Sequence, residues 1–361
     1  MNFRARKTAA SRAAKAAGAD GLLVTHRPDL RYLCGFTGSN AALVLAGGKS
    51  VLFTDGRYTV QAKSEAAGTR VVIAKKPVMT AACEWIVEAG IQRCGFDAAV
   101  TTVATLEAMR KAVPAKVRRG LFLALESPVS RLRQVKDADE IRKMRAAAKL
   151  GCSLFDDMLG YLQPGLTEID VASTLEHRAR LAGAEAMSFP TIVASGERSA
   201  LPHGHASMAK LPRRGFVTMD FGVVLDGYMS DMTRTIHLGK AQPEERDVYD
   251  AVLEAQEAGV AMVAPGVTAG EIDEAARSVL RRAGLDRWFT HSTGHGVGLE
   301  IHEGPRLAAK QTQKLEEGMV ITVEPGVYMP GQFGIRIEDM VLVTSRGYEI
   351  LTPSIKAWIE L

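Results

Sequence analysis

The chain has 361 residues, 47% apolar and 24% charged, with 45 basic against 41 acidic side chains and a formal charge of +4. That length predicts two domains, each able to bury a full core without disulfides or a structural metal. The composition excludes a disordered chain, a collagen-like repeat and a membrane span, and so small a charge leaves no footprint for nucleic acid.

Residues 1–19 carry Arg4, Arg6, Lys7, Arg12 and Lys15 and no acid, a superficial likeness to a transit peptide. No apolar h-region accompanies them. The preferred reading is an Ala-rich helix that ends at Gly18 and leads into a strand at 21–24. Further strands are expected at 42–45, 51–54 and 71–74, with helices at 80–89 and 103–112. Their alternation predicts a small α/β domain over residues 1–127. Cys34, Cys83, Cys94 and Cys152 form no CxxC pair and read as buried thiols of a reducing, cytoplasmic compartment. Residues 128–136, with Pro128 and a charged run from Arg131, read as a linker.

Asp137, with Glu140 three residues on, predicts a capped helix over 138–161 that opens a second domain spanning 137–361. A helix over 167–182 follows, then strands at 188–194, 217–224 and 233–238, then helices at 244–263 and 269–283. Pro164-Gly165-Leu166-Thr167 and Pro265-Gly266-Val267-Thr268 occupy the same place between long helices, about 101 residues apart. This internal repeat predicts a pseudo-twofold domain, with any central site lying on the two matching sheets.

Several sites in this domain place ionisable residues where a strand should be apolar. Asp220 lies in Met219-Asp220-Phe221-Gly222, and Asp231 follows a turn at Asp226-Gly227. An Asp-Gly turn sets position 220 opposite 233, with 231 diagonal to it; a turn slipped by one sets 220 opposite 231. Either register aims both carboxylates at one point. His291, His295 and His302 fall within twelve residues, among glycines that do not match a dinucleotide loop. Glu324 and Glu338 sit among β-branched residues, and Arg336 shares a strand face with Glu338, where it could orient that carboxylate. Four carboxylates and one imidazole suit hard to borderline divalent ions, and two dications would neutralise the acids.

The wording of these motifs closely resembles the proline-specific pita-bread metallopeptidases: the Xaa-Pro aminopeptidases and the Xaa-Pro dipeptidases, or prolidases. It is carried by Met219–Gly222, Ser230-Asp231-Met232-Thr233-Arg234-Thr235, Gly294 through Glu303, Val323-Glu324-Pro325-Gly326-Val327-Tyr328 and Arg336-Ile337-Glu338-Asp339. Arg31 through Ser39 and Thr54-Asp55-Gly56-Arg57-Tyr58 match the N-terminal domain of that family. The resemblance implies a creatinase/prolidase-type α/β domain followed by a pita-bread catalytic domain.

By the same resemblance Asp220 chelates one ion, Asp231 and Glu338 bridge both, and His295 and Glu324 complete the shell of the second ion. The ions are expected to be manganese, with cobalt or zinc as alternatives. A hydroxide bridging them attacks the Xaa–Pro carbonyl, and Glu324 handles its proton. His203 matches a histidine near the scissile bond, and His302 the one that stabilises the tetrahedral intermediate. His291 lies in the proline pocket, while Tyr328 and Arg336 match positions behind the ligands. His205 matches nothing and reads as a bystander. The expected activity is Xaa-Pro aminopeptidase, on the wording of the N-terminal motifs, with dipeptidase as the alternative. A homodimer acting on proline-containing peptides, with no nucleic-acid or membrane partner, is implied. A metal-free peptide-binding module is the alternative of a different class. The five ligand matches disfavour a creatinase-like amidinohydrolase, and the N-terminal domain disfavours a methionine aminopeptidase.

Overall fold

Gly18 takes a left-handed conformation (φ 86°) two residues after the first helix, α1 (Phe3–Ala16), and turns the chain into β1 (Gly21–Val24). The computed structural model describes residues 1–361, and the chain divides into two units, Met1–Arg133 and Gln134–Leu361. No helix is long and apolar enough to cross a membrane.

In the first unit α1 and β1 are followed by α2 (Arg27–Cys34), β2 (Ala41–Ala46), β3 (Lys49–Thr54), α3 (Thr59–Glu65) and β4 (Arg70–Ile73). Then come α4 (Val78–Glu88), β5 (Cys94–Asp97), α5 (Val103–Lys111), β6 (Phe122–Leu125) and α6 (Ser130–Arg133). The strands form one mixed sheet in the order β4-β3-β2-β1-β5-β6. Phe53, Ile86, Phe96 and Met109 are core residues between sheet and helices. The four expected strands are present. The sequence pattern passed over α2 and α3, because seven or eight residues are too few to display a helical period. The stretch expected to be a linker contains α6, held where Arg133 donates 2.7 Å to Asp29, both side chains buried.

The second unit opens with α7 (Ala138–Leu159), whose Asp137–Glu140 capping box is formed, and α8 (Glu168–Leu181). It continues with β7 (Ala186–Met187), β8 (Ile192–Ser195), β9 (Gly215–Phe221), β10 (Val223–Leu225), β11 (Tyr228–Met229) and β12 (Met232–Leu238). After α9 (Pro243–Ala261) and α10 (Ala269–Arg282) come β13 (Gly294–Gly296), β14 (Glu303–Leu307), β15 (Val320–Val323), β16 (Gly326–Met329), β17 (Phe333–Arg336), β18 (Asp339–Thr344) and β19 (Gly347–Ile350). Of the strand expected at 188–194 only its end is present, as β8; Pro190 cannot donate to a ladder, and β7 before it belongs to another sheet. The strand expected at 217–224 is interrupted at Gly222, where a Cβ would lie 1.7 Å from the Ser230 carbonyl oxygen.

The repeat is visible atom by atom. Thr167 and Thr268 each cap a helix reciprocally, with Asp170 and Glu271 as partners. Gly165 and Gly266, both left-handed, donate to the carbonyls of Leu211 and Leu315. Leu211 and Leu315 donate back to Leu166 and Val267, so both halves bend around the same short ladder. Sheet β12-β9-β8 in one half thereby corresponds to β18-β15-β13 within the five-stranded sheet of the other.

Candidate active site

The matching strands bring carboxylates to matching places. Asp220 lies near the end of β9 and Glu324 just past β15, while Asp231 precedes β12 and Glu338 precedes β18. The Asp226-Gly227 turn has both residues left-handed, and Asp220 pairs with Thr233; this is the unslipped register of the two considered. All four carboxylates and His295 line one cavity of about 760 Å³.

Ligand-capable atoms of Asp231, His295 and Glu338 lie within 4.8 Å of one another. His295 Nδ1 is 3.0 Å from the Gly296 carbonyl, which can only accept, so the neutral ring carries its proton there. Nε2 is then a bare lone pair, 3.6 Å from Asp231 Oδ2 and 3.4 Å from Glu324 Oε1. Burial lowers the His295 pKa to about 4, so the ring is uncharged at neutral pH. Burial, then repulsion from Glu338 and Asp220, pushes Asp231 well above the usual carboxylate range. Glu338 is raised by burial and by Glu324, and burial brings Glu324 to about 8. The buried Asp220 Oδ1 has no hydrogen-bond partner. An orphaned carboxylate oxygen and a bare imidazole lone pair, among crowded acids, fit divalent cations.

Arg336 corrects one expectation. Its NH2 donates 2.6 Å to Asp220 Oδ2 rather than to Glu338, because β17 ends at Arg336 and the chain turns a corner before β18. Burial opposes the Arg336 charge, but Tyr328, Asp220 and Glu324 more than offset it and hold the group firmly protonated. Its NH1 donates to the Tyr328 hydroxyl at 2.7 Å and to the Pro202 carbonyl at 3.0 Å. The hydroxyl lies 2.9 Å from His291 Nε2, and His291 Nδ1 lies 2.8 Å from the Ser292 carbonyl. Both nitrogens of His291 are therefore occupied, and the ring offers the cavity only its face and edge. Burial lowers its pKa to about 4.

Glu338 instead takes a 2.7 Å hydrogen bond from the Thr233 hydroxyl. Arg234, 1% exposed, lies behind it and donates to the backbone carbonyls of Thr233 and Glu338. It also donates to Asp339 Oδ1 (2.7 Å) and to the carbonyls of Thr352 (2.8 Å), Ser354 (2.9 Å) and Ile355 (3.2 Å). His302 packs edge-on against His295, with centroids 4.5 Å apart, and His203 lines the same cavity. So does His205, which the sequence reading set aside. Phe189, Pro190 and Ile301 add an apolar wall, and Arg306 an exposed guanidinium opposite His295 across β13–β14. Ile301 lay within a quoted motif without being singled out, and Phe189, Pro190 and Arg306 carried no sequence signal. Thr233 lay in a quoted motif, but its hydroxyl gave no hint of its partner 105 residues away.

Two matched halves folding antiparallel strands and helices around a central acidic cavity define the pita-bread class of hydrolytic domains, here preceded by an α/β domain. The chain belongs to metallopeptidase family M24, whose model matches residues 142–345, and the creatinase/prolidase N-terminal domain matches residues 6–135. The solved Xaa-Pro dipeptidase from Bacillus anthracis superimposes with a TM-score of 0.96 at 39% identity, covering 100% of both chains. The X-Pro aminopeptidase from Thermotoga maritima gives 0.89 at 35% identity, over 97% of this chain and 100% of that one. Uncharacterized peptidase YqhT of Bacillus subtilis is 39% identical over 344 residues, 95% of this chain and 96% of the relative.

Proposed function

We propose that this chain is a dinuclear metallopeptidase that hydrolyses the bond between an N-terminal residue and proline. The observation that carries the reading is the lone-pair face of His295 directed at the carboxylates of Asp231 and Glu324, with Asp220 Oδ1 left unpartnered. Asp220, Asp231, His295, Glu324 and Glu338 would hold the ions, with manganese favoured over cobalt or zinc. When bound, two divalent ions neutralise the four acids and supply an activated water at neutral pH. Glu324, adjacent to His295, is placed to take a proton at Oε1 and return it to the proline nitrogen. That nitrogen has no hydrogen of its own and must gain one as it leaves. His302 would donate a ring N–H to the carbonyl oxygen as it gains charge, with His203 near the scissile bond; both line the cavity, which supports this reading. Arg336 orients Asp220, and Tyr328 with His291 forms the rigid side of the proline pocket.

The N-terminal wording favours an aminopeptidase, whereas Arg306 favours a dipeptidase. Arg306 forms no ion pair or hydrogen bond, faces the cavity, and is suited to clamp the free carboxylate of a dipeptide's proline. The reading includes a homodimer, on family likeness, and a cytoplasmic setting, to which four free buried cysteines lend support. The deciding experiment compares an Xaa-Pro dipeptide with the matching Xaa-Pro-Yaa tripeptide on metal-loaded enzyme. Dipeptide preference that disappears in Arg306→Ala supports the dipeptidase; preference for the tripeptide returns the assignment to the aminopeptidase. Cleavage of neither, or chelator-resistant cleavage, removes the whole reading.

A further inference from the structure

The functional reading leaves Glu303 without a role, although it closes the histidine-rich motif and lines the cavity. It opens β14, one residue after His302, and its side chain is only 4% exposed. The carboxylate folds back over the preceding loop. Its Oε1 accepts the backbone N–H groups of Leu299 at 2.9 Å and Glu300 at 3.1 Å. Its Oε2 lies 3.3 Å from Lys136 Nζ, on a side chain 1% exposed. Lys136 is anchored through its own N–H to the Gly318 carbonyl, beside a bridge between Val135 and Met319. Gly298 leaves room for the arrangement: a Cβ there would stand 2.8 Å from Glu303 Oε2. One glycine of the motif thus serves a carboxylate of the chain itself rather than a ligand.

We propose that Lys136 and Glu303 form a buried positioning pair that braces the loop ending in His302. The proposal takes the role of His302 from the Xaa-Pro reading, whereas the brace rests on the hydrogen bonds alone. A cation and two backbone N–H donors, at 3.3, 2.9 and 3.1 Å, hold this buried carboxylate in one place from three directions. Without Lys136 the anion has lost the counter-charge opposite Oε2, and burial favours its leaving the site or drawing in water. The loop then loses its internal tie, and His302 loses its fixed approach to the reacting bond. His295 stands on β13, with its N–H bonded to Thr322 and its ring to Gly296, so neither of these ties runs through the side chains of Lys136 and Glu303.

Three variants test this: Lys136→Met, Glu303→Gln and the two combined. Each is measured for bound metal, for kcat and KM on an Xaa-Pro dipeptide, and for amide hydrogen exchange across residues 297–303. In Lys136→Met, bound metal and KM should hold within threefold while kcat falls about 10–100-fold. Exchange in the loop should accelerate at least about tenfold without a matching change in β15. The double variant keeps an acceptor for Leu299 and Glu300 and removes the charge of both members of the pair, so its kcat should exceed that of Lys136→Met about fivefold or more. A folded Lys136→Met protein with unchanged exchange and kcat overturns the proposal. So does metal loss in step with kcat, or a double variant no better than the single. Should the wild type cleave no Xaa-Pro peptide, the functional reading fails, while the exchange data still decide the brace.

Discussion

At the level of single residues, the acids and the imidazole differ in what they require. Asp231 and Glu338, both raised by burial and by other carboxylates, cannot all remain ionised together without a cation among them. Asp231→Ala or Glu338→Ala should therefore bring bound metal below one ion per chain and lower kcat/KM by at least about 10³-fold, while circular dichroism stays unchanged. Metal analysis beside kinetics checks it, and normal metal content would place these acids outside the site. His291 makes a different contribution. Its folded pKa, about 4, lies below the ordinary value of 6.5, so the unfolded chain takes up its proton first as pH falls. Its share of stability is whole above about pH 6.5 and is lost progressively towards pH 4, by about 3 kcal/mol. Chelator-treated His291→Gln should lose less stability than chelator-treated wild type across that window, as read by urea midpoints at each pH. Both ligand-type histidine chemistry and clustered acids were legible in the sequence. The partner of Arg336 was not, because a two-residue spacing implies a shared face only while the strand continues, and here the strand ends.

At the level of elements, turn chemistry proved the most readable part of the chain. The Asp-Gly pair set the β9–β12 register, and the Pro-Gly-x-Thr repeats marked two helix starts through caps that the structure contains. Thr167→Ala and Thr268→Ala should each cost about 1 kcal/mol, and together about twice that, since the caps share no partner. Thermal or urea unfolding measures both, with bound metal unaffected. Elements without such punctuation were missed. The short α2 and α3 show no period, and the break at Gly222 is set by the close approach of the Ser230 carbonyl across the hairpin, which the strand pattern does not display. Arg306 is the instructive case for the site. An isolated arginine between a proline and a leucine has no pattern, and only strand pairing with His295 gives it a position.

For the molecule as a whole, the modest charge of +4 conceals a sharp division. Residues 1–133 hold 21 basic against 9 acidic side chains, a net +12, and residues 134–361 hold 24 against 32, a net −8. Half of that negative excess equals the four acids around the cavity, so bound dications should matter to stability as well as to turnover. Removing metal with a chelator should lower the melting temperature, and re-adding manganese should restore it. Ions present at a thousandfold their dissociation constant contribute about 4 kcal/mol per site. A melting curve indifferent to chelator would argue that the acids are satisfied by protons.

The grip of Arg234 on Thr352, Ser354 and Ile355 has a consequence for how the enzyme comes into being. All five candidate ligands have been translated by residue 338, and the family's own signature ends at 345. The carbonyls that seat the arginine behind Glu338 emerge from the ribosome later. A nascent chain therefore carries all five candidate ligands for some time before half of the hydrogen bonds that seat Arg234 can form, and those come from a stretch of sequence that no motif marks.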